Sequence, residues 1–235
     1  MPKKNIRISI ILPTYCESGN IVPLVWKIKN SLINTKREIL IVDDNSPDDT
    51  ARVAEKKFGK DKSIKIFVRR ERGLATAVLF GLRQAEGEFV CVMDTDFNHD
   101  PNILPKMIKL LQEADLVVGS RYIKGGGMEN RLRNFFSHFY NRIIKLILSL
   151  PTNDSLSGFF VARRQKLKHL TTPGIFRGYG DYFIRFLYHA NKQSLKIREI
   201  PVYYKNRVHG ESKSKFGSML YDYTLTVFAL LLKTK

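Results

Sequence analysis

Short runs of β-branched and other apolar residues recur along the first half of the chain, at Ile6–Leu12, Glu38–Val42, Ile64–Val68, Phe89–Met93 and Leu116–Gly119. Each carries few polar positions, the pattern of a strand buried on both faces rather than one that alternates towards solvent. Between them lie stretches with helical periodicity, Asn20–Leu32, Asp49–Phe58, Ala75–Ala85 and Pro101–Glu113. Asp48 and Asp100 stand where N-caps belong, and Pro101 occupies a first-turn position that needs no amide hydrogen. Strands alternating with helices of this length predict an α/β fold with a mostly parallel central sheet flanked by helices. In such sheets the ligand crevice lies beyond the carboxyl ends of the strands.

The second half is less regular. It reads as a basic amphipathic helix over Arg131–Leu150, a Ser157-Gly-Phe turn, a helix near Asp181–Asn191, a strand near Ile197–Val202 and a Lys/Arg/Gly loop from Lys205 to Lys215. The Gly125–Gly127 run predicts a mobile loop before the amphipathic helix. No Pro/Gly/Ser linker and no internal repeat interrupts the chain, so residues 1–235 read as a single domain. The polar start, Met1–Arg7, has no leader pattern, and nowhere do eighteen apolar residues follow one another. The 235 residues include 40 Lys and Arg against 22 Asp and Glu, a formal charge of +18. That excess predicts an anionic partner: nucleic acid, a phosphorylated small molecule or an anionic membrane face. Cys16 and Cys91, without CxxC spacing, fit a reducing cytosolic setting rather than a disulfide framework or a zinc site.

The polar residues at the strand ends narrow the choice. Asp94-Thr-Asp96 closes one buried strand and brings two carboxylates together, which repel unless a cation lies between them. Hard divalent ions take such oxygen ligands and share them with phosphates, and Asn98 offers a further carbonyl. Asp43 and Asp44 close another strand, where a carboxylate accepts hydrogen bonds from ribose hydroxyls or base N–H groups. Tyr15 offers a ring for a base to stack on, beside Glu17. Neither GxGxxG after the first strand nor GxxxxGK[ST] occurs, so a glycine-cradled dinucleotide or ATP is unsupported. The five histidines, at 99, 138, 169, 189 and 209, show no ligand spacing and read as satisfied core or surface residues.

Taken in order, Pro13-x-Tyr-x-Glu17, Asp43-Asp-Asn-Ser-Pro-Asp-Asp-Thr50, Arg72-Gly-Leu-Ala-Thr-Ala77, Met93-Asp-Thr-Asp96 and Gly119-Ser-Arg-Tyr122 resemble the family 2 glycosyltransferases, and within them the polyprenyl-phosphate sugar synthases. Arg133-x-x-x-Ser137, Asp154-Ser-Leu-Ser-Gly-Phe159 and Arg207-Val-His-Gly-Glu-Ser-Lys213 continue the likeness. The resemblance implies a GT-A fold and inverting transfer of a sugar, mannose from GDP-mannose first and glucose from UDP-glucose second, onto a polyprenyl or dolichyl phosphate. It implies a nucleotide-sugar pocket at Pro13, Tyr15, Glu17, Val42, Asp44, Asp94, Thr95 and Asp96. Arg121, Arg207 and Lys213 join that pocket as anion-binding residues. Mg²⁺ or Mn²⁺ is expected at Asp94, Asp96 and Asn98, and Asp96, Arg121, Arg133 and Ser137 are expected at the reacting phosphates.

The chemistry agrees with the resemblance. A phosphate monoester is largely dianionic at neutral pH, so such a nucleophile needs cations to hold it rather than a base. A hydroxyl acceptor would want a carboxylate base, for which Asp154 or Asp181 could stand. A basic nucleic-acid-binding module is the alternative of another class, yet no such motif appears and the acids gather where a nucleic acid would be repelled. A protein meeting a lipid acceptor without a spanning helix needs a membrane-facing surface or a membrane-anchored partner subunit. Residues 130–150 and 218–235 are the candidate interface helices: Phe135, Phe136, Phe139, Ile143, Leu146, Ile147 and Leu150 recur at helical spacing beside Arg131, Arg133, Arg142 and Lys145. The location expected is the cytoplasmic face of a membrane, held peripherally.

Overall fold

A computed structural model describes residues 7–205 and 216–232. The apolar runs form strands β1 (Ile8–Thr14), β2 (Arg37–Asp43), β3 (Ile64–Val68), β4 (Phe89–Val92) and β5 (Leu116–Ser120). Among them lie helices α1 (Ser18–Ser31), α2 (Thr50–Phe58), α3 (Leu74–Gln84) and α4 (Leu104–Leu110). A 3₁₀ turn at Pro101–Ile103 leads into α4, and the Asp100 carboxylate accepts from the Asn102 amide at its start, as its capping position predicts.

Later come β6 (Gly127–Met128), α5 (Arg131–Leu148), β7 (Phe160–Arg163), α6 (Tyr182–Lys192), β8 (Ile197–Pro201), β9 (Tyr203–Tyr204) and α7 (Phe216–Leu232). The main sheet runs β3-β2-β1-β4-β7-β5-β8. All pairings are parallel except those of β7, which lies antiparallel between β4 and β5. Strand β7 was not visible in the apolar pattern. The triple-glycine segment is also not simply a loop, because Gly127–Met128 pairs with Tyr203–Tyr204 as a second, two-stranded sheet.

Side-chain alternation along the strands divides the core into two layers. Ile8, Ile10 and Leu12 face α1, α2 and α4 through Ile21, Leu24, Phe58, Leu104 and Met107. Ile11, Leu40, Val42 and Val92 face the other way, against α3, α6 and the inner sides of α5 and α7. With both faces covered, the sheet offers only its ends to a ligand. The strand order reverses between β1 and β4, so their carboxyl ends diverge and open a crevice there.

Candidate active site

Three loops meet at that crevice, and each contains a non-glycine residue in the left-handed region: Cys16 after β1, Asn45 after β2 and Phe97 after β4. Such conformations persist where surrounding bonds fix them. Ser46 donates to the Asp43 carboxylate at 2.6 Å and accepts from the Cys16 amide at 3.0 Å, tying the first two loops together. Asp48 accepts from the Ser18 amide at 2.9 Å and from the Thr50 hydroxyl at 2.5 Å, so one carboxylate organises the starts of both α1 and α2. Asp43 and Asp48 are therefore structural.

Asp44 sits differently. Arg69 donates to one of its oxygens and the Gly73 amide to the other, at 2.8 and 2.7 Å. Arg69 also reaches Thr76 Oγ1 at 3.0 Å, so the loop entering α3 is folded around this one pair. Gly73 holds a φ of +153°, a conformation that side-chain-bearing residues rarely adopt. The neighbouring Arg72 guanidinium lies 3.7 Å from the centroid of the Tyr15 ring.

A cavity of about 380 Å³ fills the crevice, lined by Pro13, Tyr15, Glu17, Asp44, Asp94, Thr95 and Asp96 on the strand side. These are seven of the residues expected at the nucleotide-sugar pocket. Val42, also expected there, is fully buried in the core behind it. Thr14, Arg72, Gly73, Leu74, Ala77 and Tyr179 also line the cavity; none is among the residues expected there, although Arg72, Gly73, Leu74 and Ala77 belong to the Arg72–Ala77 motif.

At the end of β4, Asp96 is almost fully buried and Asp94 is 44% exposed. The Asn98 amide and side chain both donate to Asp96, at 3.1 and 2.7 Å. A carboxylate only accepts, so the atom facing it is the Asn98 nitrogen, which braces Asp96 from behind. This differs from the expected ligand role, in which the Asn98 oxygen would share a cation. Among the described residues no cluster of three or more His, Cys, Asp and Glu forms a metal site. Two hard carboxylates opening on a cavity nevertheless fit Mg²⁺ or Mn²⁺, which keep several positions for water and phosphate.

Beneath them, His99 is wholly buried, stacked on Phe159 with centroids 4.6 Å apart. Its Nδ1 accepts from the Asp94 amide at 2.8 Å and its Nε2 lies 2.7 Å from the Tyr204 hydroxyl. Burial pushes its pKa down to about 4, keeping the ring neutral. The expectation of a satisfied core histidine holds, with the addition that its bonds reach the site.

Arg121 was expected to grip an anion. Instead its guanidinium forms a bidentate pair with Asp154, both contacts 2.7 Å, and lies 4.8 Å from the Tyr204 ring centroid. Burial alone would lower its pKa, but Asp154 more than offsets that and holds it above the ordinary value. The two acids considered as bases are likewise engaged, since Asp181 pairs with Arg185 at 2.6 Å. Arg133 and Ser137 lie one turn apart on α5, exposed and half-buried, and neither lines the cavity. Arg207 and Lys213 lie outside the described residues.

The Glycosyl transferase family 2 profile matches residues 9–171. The chain is 33% identical to a Pyrococcus furiosus dolichol-phosphate mannosyltransferase over 96% of its own length, and spans 64% of that relative. An undecaprenyl-phosphate mannosyltransferase of Micrococcus luteus is 30% identical, covering 90% of this chain and 89% of the relative. Among solved structures, glucosyl-3-phosphoglycerate synthase from Mycobacterium tuberculosis, in complex with Mn²⁺, uridine diphosphate and glucosyl-3-phosphoglycerate, superposes with a TM-score of 0.74. At 18% identity, over 97% of this chain and 81% of that one, this likeness speaks for the fold.

Proposed function

This chain belongs to glycosyl transferase family 2 and has the GT-A fold, and from that premise we propose that it transfers mannose from GDP-mannose to a polyprenyl phosphate. The observation that carries the reading is the crevice itself, one cavity lined by the paired carboxylates Asp94 and Asp96 together with Tyr15 and Asp44. The names of the two similar mannosyltransferases suggest the acceptor class and the sugar.

The residues divide the work by chemistry. Tyr15 and Arg72 are proposed to offer flat faces to the base, and Asp44 holds the Arg72–Gly73 segment beside them through the Gly73 amide. Asp94 and Asp96 would hold a divalent cation, which when bound neutralises charge on the departing nucleoside diphosphate. The acceptor phosphate attacks the anomeric carbon as the sugar–phosphate bond breaks, and the released diphosphate takes that electron pair. Arg133 and Ser137 are proposed for the reacting phosphates, Arg207 and Lys213 as further cations that hold the sugar or lipid phosphate, and Arg121 is proposed to act by fixing the end of β5. Among the described residues no helix is long and apolar enough to cross a membrane. We assign the lipid contact to α5 and α7 at the membrane surface, on the cytoplasmic face.

The test is incubation of the protein with radiolabelled GDP-mannose or UDP-glucose and a polyprenyl phosphate in detergent, with Mn²⁺ or EDTA. Metal-dependent mannolipid is the expected product. Transfer from UDP-glucose alone would overturn the donor, and transfer to a free sugar hydroxyl with no lipid product would overturn the acceptor.

A further inference from the structure

Strand β4 ends at Val92, and two residues further on the Asp94 amide donates to the His99 ring. The chain turns back through Phe97, at a φ of +63°, and brings the His99 ring under that amide. Because Nδ1 accepts there, the ring hydrogen must sit on Nε2, which donates to Tyr204. The Tyr204 hydroxyl in turn donates to the Ser157 carbonyl at 3.1 Å, and the Ser157 hydroxyl donates to the Gly119 carbonyl at 2.6 Å. A chain of hydrogen bonds, buried from His99 onward, therefore runs from the end of β4 to the end of β5.

We propose that His99 is a positioning residue that fixes Asp94 beside Asp96 for a divalent cation, with its tautomer set by Tyr204. The inference rests on reading Asp94 and Asp96 as the cation-holding pair. It goes beyond core filling: Phe would fill the same space and stack on Phe159 equally well, yet would leave the Asp94 amide and the Tyr204 hydroxyl without these partners. Partners that orient metal ligands from behind commonly change metal affinity by about 10- to 100-fold when lost.

The experiment titrates Mn²⁺ into the protein, without and with GDP, reading free Mn²⁺ by electron paramagnetic resonance. GDP binding in EDTA and Tm are measured in parallel. His99→Phe is expected to weaken Mn²⁺ binding about tenfold or more while GDP binding in EDTA is unchanged. His99→Asn, whose amide oxygen can replace Nδ1 as acceptor, is expected to recover most of the loss. His99→Gln, whose amide nitrogen replaces only the donor to Tyr204, is expected not to. Parent-like Mn²⁺ binding by His99→Phe, or equal binding by the Asn and Gln variants, would overturn the positioning role alone. If the Phe variant does not fold, the Asn-against-Gln comparison decides by itself. A parent that binds no Mn²⁺ in either condition would overturn the cation reading and this inference with it.

Discussion

Arg121 and Asp154, 33 residues apart, close on each other as a two-armed ion pair from which water is excluded. The Arg121 amide also donates to the same carboxylate at 3.0 Å, so the pair fixes backbone as well as side chain. It locks the end of β5 to the segment that leads into β7. Removing one partner strands a buried charge, which typically costs about 3–5 kcal/mol. Asp154→Asn should therefore lower the urea midpoint strongly, and replacing both residues with apolar ones should restore much of it. Equal stability of parent and Asp154→Asn would show that Arg121 has another anion to turn to.

Asp96 lies deeper than Asp94 and is braced by Asn98, so its orientation is the better fixed of the two. Replacing it by Asn preserves size and removes the charge that a cation would need. Transfer should fall by at least about 100-fold, the scale on which lost electrostatic stabilisation is felt. GDP binding in EDTA should change little. Retention of metal-dependent transfer by this variant would remove Asp96 from the site.

The Arg72–Tyr15 stack lines the cavity, and Arg72 is an exposed residue. An exposed cation–π contact is worth about 0.5–1 kcal/mol, so Arg72→Ala should leave Tm nearly unchanged. If the stack frames the nucleotide base, the variant should raise the donor KM several-fold with little effect on kcat. A fall in kcat at constant KM would place Arg72 nearer the reacting phosphates than the base.

The helical and strand periods made most of the first half legible to within two residues, because its strands are buried on both faces and its helices are regular; the stretch expected as a helix over Pro101–Glu113 instead opens as a 3₁₀ turn and holds α-helix only over Leu104–Leu110. Strand β7 escaped because its four residues follow the Ser-Gly-Phe turn with no distinct boundary, and its antiparallel pairing comes from partners distant in sequence. The same limit applies to the site. Carboxylates at strand ends could be placed, since their position follows from the local pattern. The partner of a charge could not: nothing near Arg121 in sequence points to Asp154, and nothing near His99 points to Tyr204. Asn98 could be placed beside Asp96, but which of its amide atoms faces the carboxylate depends on the loop's turn at Phe97.

Helices α5 and α7 lie side by side, joined by a 2.9 Å hydrogen bond between Tyr140 and Thr224. Only part of their apolar surface serves the core: Ile144 and Leu148 from the first, with Leu150 just beyond its end, and Tyr223, Val227 and Leu230 from the second. The rest faces outward, with Phe135 67% exposed, Phe139 61%, Leu146 78%, Phe228 53% and Leu232 73%. So many exposed large apolar side chains on adjacent helices exceed ordinary surface scatter and mark a surface that meets something apolar. Helix α5 contains Arg131, Arg133, Arg142 and Lys145 and no acid, and each such cation near an anionic surface contributes about 1 kcal/mol. Adsorption to a headgroup layer, with the aromatic residues inserted and the cations on phosphate, accounts for both features. Binding to anionic vesicles should therefore be reversible and should weaken with salt, as screening reduces the cationic share. Phe139→Glu or Leu231→Glu should weaken it further at constant Tm, because both side chains stand outside the core. Sedimentation with vesicles at low and high salt measures this directly. Protein that stays in the supernatant at low salt would mean that these helices meet another protein instead, such as a membrane-anchored subunit.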